Sequence, residues 1–137
     1  MNINAGIWID TKQAIIIKIM NGKSTIKTII SNVETRERIQ GETKKFGRFG
    51  NQYLTYEKNK ENRHNEQIAI FLKAIIKEIL KFNKVVIFGP SNMKNLLEKE
   101  IFLNRELTQK LEGIHTTKQL TENQKVAWVK DYYEVNA

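Results

Sequence analysis

Val85-Val86-Ile87-Phe88-Gly89-Pro90-Ser91 is an unbroken apolar run that ends in a turn, and helical sequence from Asn92 to about Glu100 follows it. A strand that is apolar on both faces has to be covered from both sides, which places it inside a sheet beside a crossover connection. The sequence just before it supplies one cover. Ile68, Phe71, Leu72, Ile75, Ile76, Ile79 and Leu80 recur every three or four residues, with Lys73, Lys77 and Glu78 off that stripe, which predicts an amphipathic helix starting near Arg63. Downstream, a short helical piece at Arg105 to Leu111 and a strand-like Gly113–Thr117 come next. Thr121 with Gln124 three residues on then forms a capping box, opening a last helix that buries Val126, Val129 and Tyr133.

The N-terminal part reads differently. Ala5–Ile9, Ala14–Ile19 and Lys23–Ile30 are β-like runs separated by Asp10-Thr11-Lys12 and by Asn21-Gly22. Asn-Gly between β-branched runs signals a two-residue hairpin, because both residues tolerate positive φ. The order is therefore β-β-β, a long loop, then α-β-α-α-β-α. The five strand-like runs are expected to form one mixed sheet with flanking helices.

Composition bounds the function. The chain has 137 residues, the common size of one domain, so residues 1–137 are read as a single unit. With no cysteine, disulfides and thiolate metal sites are excluded. No secretory leader pattern opens the chain, and no apolar run approaches the roughly 20 residues that cross a bilayer, so a cytoplasmic protein with no membrane partner is expected. The net charge of +8 favours an anionic partner, although a Lys-, Asn- and Ile-rich codon usage would raise it too.

From about 31 to 62 the sequence has neither helical nor strand period, and a long loop of this kind in a compact domain is usually functional or disordered. Lys44, Lys45, Arg48, Lys58, Lys60 and Arg63 are interleaved there with Phe46, Phe49, Tyr53 and Tyr56, while Glu34, Glu37, Glu42, Glu57 and Glu61 dilute the charge. Cations neutralise phosphates and flat rings stack on unpaired bases, which makes this the candidate RNA-binding surface. Lys44 to Tyr56 is expected to be poorly ordered in the free protein, since it is polar and has little to bury.

Three motifs in this order carry a resemblance: Gly47-Arg48-Phe49-Gly50-Asn51-Gln52, then Glu61-Asn62-Arg63-His64-Asn65 entering the long helix, then Phe88-Gly89-Pro90-Ser91 with Lys94 on the next helix. The chain resembles the central domain of the eukaryotic and archaeal class-1 peptide-chain release factors, shared with Pelota, and the short stand-alone bacterial proteins that keep only this domain. The resemblance runs from Gly6 to Tyr133 and implies a ribonuclease-H-like layered α/β sandwich. In that family a Gly-Gly-Gln loop promotes hydrolysis of peptidyl-tRNA, its glycines permitting backbone shapes that a Cβ would block. Here Gly50-Asn51-Gln52 stands at the matching place, so Gln52 is the sole catalytic candidate and Asn51 adds bulk where the family has none.

The resemblance implies an RNA-binding, translation-related domain whose partner is ribosomal RNA or tRNA, touching it with Lys44, Lys45, Arg48, Phe49, Gly50, Asn51, Gln52, Lys58, Lys60 and Arg63. It is expected to be no enzyme and to need no cofactor. Gly89-Pro90-Ser91 lacks the spacing of a nucleotide-binding P-loop, so no nucleotide partner is expected. His115 has no second His or Cys at ligand spacing, so a metal role is not expected. Two other functions stay open: a protein-interaction module on the same fold, and a metal-dependent nuclease. The nuclease needs converging carboxylates, and Asp10 and Asp131 are the only aspartates.

Overall fold

The structure is a computed structural model that describes residues 3–32 and 51–135, with the backbone alone for 51–61 and 135. The elements are β1 (Asn4–Ile9), β2 (Gln13–Met20), β3 (Lys23–Ile30), α1 (Asn51–Ile79), β4 (Lys84–Gly89), α2 (Met93–Phe102), α3 (Arg105–Lys110), β5 (Leu111–Thr116) and α4 (Glu122–Val135). The strands form one five-stranded sheet in the order β3-β2-β1-β4-β5. β2 runs antiparallel to β1 and β3, whereas β1, β4 and β5 are parallel to one another. This is the mixed-sheet, layered α/β sandwich that the sequence implies.

Alternation along the strands explains the layers. Ala5, Ile7 and Ile9 of β1 and Val85 and Ile87 of β4 enter one core with Phe71, Leu72, Ile75 and Ile79 of α1, and with Leu97, Ile101 and Leu107 from α2 and α3. Their neighbours Trp8 and Phe88 point to the other face, where Ile15, Ile17 and Val129 of α4 meet them. Successive strand residues face opposite ways, so a continuous apolar run needs two covers, and the helices supply one on each side. Among the described residues no helix is long and apolar enough to cross a membrane.

Local chemistry sets the turns. Asn21 and Gly22 have φ of 54° and 79°, both in the left-handed region that the hairpin requires. The Asp10 carboxylate closes the β1–β2 turn by accepting from the backbone N–H groups of Lys12 (2.8 Å) and Gln13 (2.9 Å), and from Trp8 Nε1 (3.0 Å). The capping box forms as read: Thr121 N–H donates to Gln124 Oε1 at 2.9 Å and Gln124 N–H to Thr121 Oγ1 at 3.2 Å. α4 lies so close to β1 that a Cβ on Gly6 would come within 2.3 Å of Val129 Cγ2. The Tyr133 hydroxyl anchors the same contact by donating to the Ala5 carbonyl at 2.6 Å.

Two elements start more than one residue away from the sequence reading. β5 begins at Leu111 rather than Gly113, with a register shift opposite Val85/Val86 that a plain alternation does not reveal. More consequentially, α1 begins at Asn51 and not near Arg63, so Asn51 to Asn62 is helix and not the second half of a long loop. That stretch contains no Gly or Pro and several Lys, Glu and Gln, which hold a helix well. It lacks the apolar stripe by which a helix is recognised, because a stripe is needed only where a helix packs.

Candidate nucleic-acid interface

α1 has 29 residues, a length of about 43 Å, against about 26 Å for the eight-residue β3 beside it. The helix is thus too long for the sheet. Among its described side chains Ile68 is the first to join the core, and Asn62, Arg63, Asn65 and Glu66 before it are exposed. From Ile68 back to Asn51 the axis runs on by about 25 Å. The leading half of α1 therefore reaches away from the buried half.

Of the residues read as RNA-binding, Lys44, Lys45, Arg48, Phe49 and Gly50 lie outside the described residues. Asn51, Gln52, Lys58 and Lys60 have their backbone on the leading half of α1, with Asn51 and Gln52 in its first turn. Arg63 is exposed on the same helix. The expectation of little order from Lys44 to Tyr56 falls outside the described residues up to Gly50, and from Asn51 on the backbone is helical. Arg63-His64-Asn65 also moves: it sits about three turns inside α1, so neither Arg63 nor His64 caps a helix start.

The turn after β4 has a structural explanation. Gly89 has φ of 151°, and a Cβ there would fall 2.4 Å from the Ile9 carbonyl oxygen. Only glycine meets both conditions without strain. Lys94 is buried and donates from Nζ to the Ser91 carbonyl at 2.8 Å, while Ser91 Oγ accepts from the Met93 N–H at 3.3 Å. The lysine implied by the resemblance thus ties down the turn that launches α2.

Among the described residues carboxylate chemistry finds no assembled centre. Asp10 already accepts three hydrogen bonds in its turn. Asp131 is exposed on α4. Among the described residues no group of three or more His, Asp or Glu side chains gathers where it could hold a metal ion. His115 meets Trp128 and Tyr132 edge-on, each at 5.5 Å between ring centres, in a row where Trp128 also stacks on Phe88 at 4.1 Å. His115 is itself exposed. Burial, and secondarily the Glu112 carboxylate, raise the Tyr132 phenol above the usual value.

A second basic feature escaped the sequence reading. Lys27 of β3 and Lys73 and Lys77 of α1 line a groove with Lys81, together with the apolar Ile29, Ile70 and Ala74. Glu78 is buried in it and accepts from Lys27 and, at 3.2 Å, from Lys81. The Lys27 hydrogen bond above all, and then Lys81, hold its carboxyl below the usual carboxylate range against the upward push of burial. The spacing of Lys73, Lys77 and Lys81 at every fourth residue is the one signal that would have found it, since such residues share a helix face.

No family model matches the chain, and no curated protein matches it. Among solved structures it is similar to the crystal structure of an archaeal translation termination factor, aRF1, at 16% identity and a TM-score of 0.43. The match covers 97% of this chain and 39% of that one. The chain therefore spans well under half of the factor it matches.

Proposed function

We propose that this chain is a translation-related RNA-binding domain that contacts ribosomal RNA or tRNA, acting in the cytoplasm, without peptidyl-tRNA hydrolysis of its own. The observation that carries the reading is the overhang of α1. Its packed half fixes it to the sheet, and its leading half extends the backbone bearing Lys58, Lys60 and Arg63 beyond the core. The described side chains Asn62, Arg63, Asn65 and Glu66 of that half are exposed, and contact with a partner is a reason for a helix to extend without an apolar stripe. The sequence leading into it, with Lys44, Lys45, Arg48 and Phe49, has the cation and ring content that suits phosphates and unpaired bases. The order of the three motifs supports a release-factor-like role in particular.

Hydrolysis is left out of the proposal for a chemical reason. Asn51 stands where the hydrolytic family has glycine, and its side chain occupies space that the family leaves empty. Sedimentation of the tagged protein with ribosomes, at low and at high salt, tests the reading. Co-sedimentation that fades as salt rises supports it, because each neutralised phosphate releases counterions. Sedimentation independent of salt, or none at low salt, contradicts it.

A further inference from the structure

We propose that β3 is a docking edge for an extended acidic peptide strand. β3 ends the sheet, so its outer row of backbone N–H and C=O groups is paired by no described strand. An exposed edge of eight residues is one that proteins ordinarily shorten, bend or cover, since it invites another strand. Here it exposes apolar side chains instead. Lys27 and Ile29 face α1, so Ile26 and Ile30, which alternate with them, face the other way, and both are exposed, Ile30 by 58%. On the α1 side, Ile70 is 70% exposed at the wall of the groove that runs along this edge.

The charge of that groove selects the occupant. Lys27, Lys73, Lys77 and Lys81 rim it, and the one carboxylate among its described lining residues, Glu78, is already engaged by Lys27 and Lys81. Among the described residues neither Lys73 nor Lys77 has a carboxylate partner, so a strand laid along β3 meets uncompensated positive charge on its α1 side and apolar side chains on both. An extended segment alternating acidic and apolar residues satisfies both, with main-chain bonds to the edge for affinity and the lysines for selection. A second copy of this chain is the poorer fit, because it would bring a second row of β3 lysines to the same edge, on a protein of net charge +8. RNA is the poorer fit, because among the described residues the groove offers an apolar lining and no aromatic ring on which a base could stack.

The test uses a fluorescent short peptide alternating Glu and Val, with a Lys-Val peptide and oligouridylate as comparisons. Anisotropy measures binding, and amide exchange followed by NMR locates it. The proposal expects the Glu-Val peptide to bind, to slow exchange along Lys23–Ile30, and to bind about tenfold more weakly to the Lys73→Gln/Lys77→Gln variant. Both lysines are exposed, so the variant keeps its fold, and an unchanged thermal melt checks this. Binding without slowed exchange in β3, equal binding of the Lys-Val peptide, or no binding of either overturns the proposal. Oligouridylate binding that vanishes in the variant while the peptide stays unbound would make the groove an RNA site. Slowed exchange in β3 that depends on protein concentration alone would make it a dimer edge.

Discussion

The two halves of α1 are continuous in backbone and opposite in physics. From Ile68 to Ile79 the helix exists because Phe71, Leu72, Ile75 and Ile79 leave water for a core shared with β1, β2 and β4. From Asn51 to Glu66 the sequence carries no apolar stripe, and the described residues Asn62, Arg63, Asn65 and Glu66 are exposed. Tertiary burial holds the second half, while the first is continuous with it, and extending an existing helix avoids the cost of nucleation. Stability should therefore reside in the second half and partner contact in the first.

The largest effect that tests this division is on the packed side. Ile75→Ala removes a fully buried side chain between helix and sheet and should cost about 2–5 kcal/mol in urea unfolding. Arg63→Ala, on the exposed half, should change stability by no more than about 0.5 kcal/mol. Comparable costs at the two positions would break the comparison.

The same division decides what was legible in the sequence. Burial writes a period, and every element whose packing demands one was readable: the alternating strands, the stripe from Ile68 to Ile79, the apolar run at Val85 to Phe88. Turns and caps with a side-chain mechanism were readable too, at Asn21-Gly22 and at Thr121/Gln124. The leading half of α1 was hidden because its sequence carries no apolar stripe. The Lys27–Glu78 pair was hidden for another reason, joining β3 to α1 across a connection whose geometry no local pattern encodes. Of the candidate RNA-binding residues, the structure places Arg63 at the surface and the backbone of Asn51, Gln52, Lys58 and Lys60 on the overhang, and leaves those before Asn51 as a reading of sequence.

A smaller effect sharpens the comparison through pH. The Glu78 carboxyl in the packed half is held below its ordinary range chiefly by Lys27. A carboxylate depressed in the folded state contributes stability above its unfolded pKa, and that contribution is lost as pH falls through the folded value. Acidification from neutral pH to below the usual carboxylate range should thus destabilise the wild type more than Glu78→Gln, as read by melting temperature across pH. Equal pH dependence would show that the ion pairs contribute no linkage. Replacing Lys58, Lys60 and Arg63 together with Ala should leave the pH dependence and the melt nearly unchanged while weakening association with RNA.

The smallest expected effect is at the first turn of α1. Gln52→Ala should alter neither ribosome association nor release of peptide from peptidyl-tRNA, which is expected to be absent from the wild type as well. Measurable release that disappears with this single change would return catalysis to the account.

Ribosome association of a variant with Lys44→Ala, Lys45→Ala and Arg48→Ala together, followed by sedimentation over a salt series, tests the central claim most directly. The account predicts weaker binding and a shallower dependence on salt than the wild type, with the slope reduced by about one for each phosphate that is no longer neutralised. Association unchanged in strength and slope after removal of all three cations would contradict it.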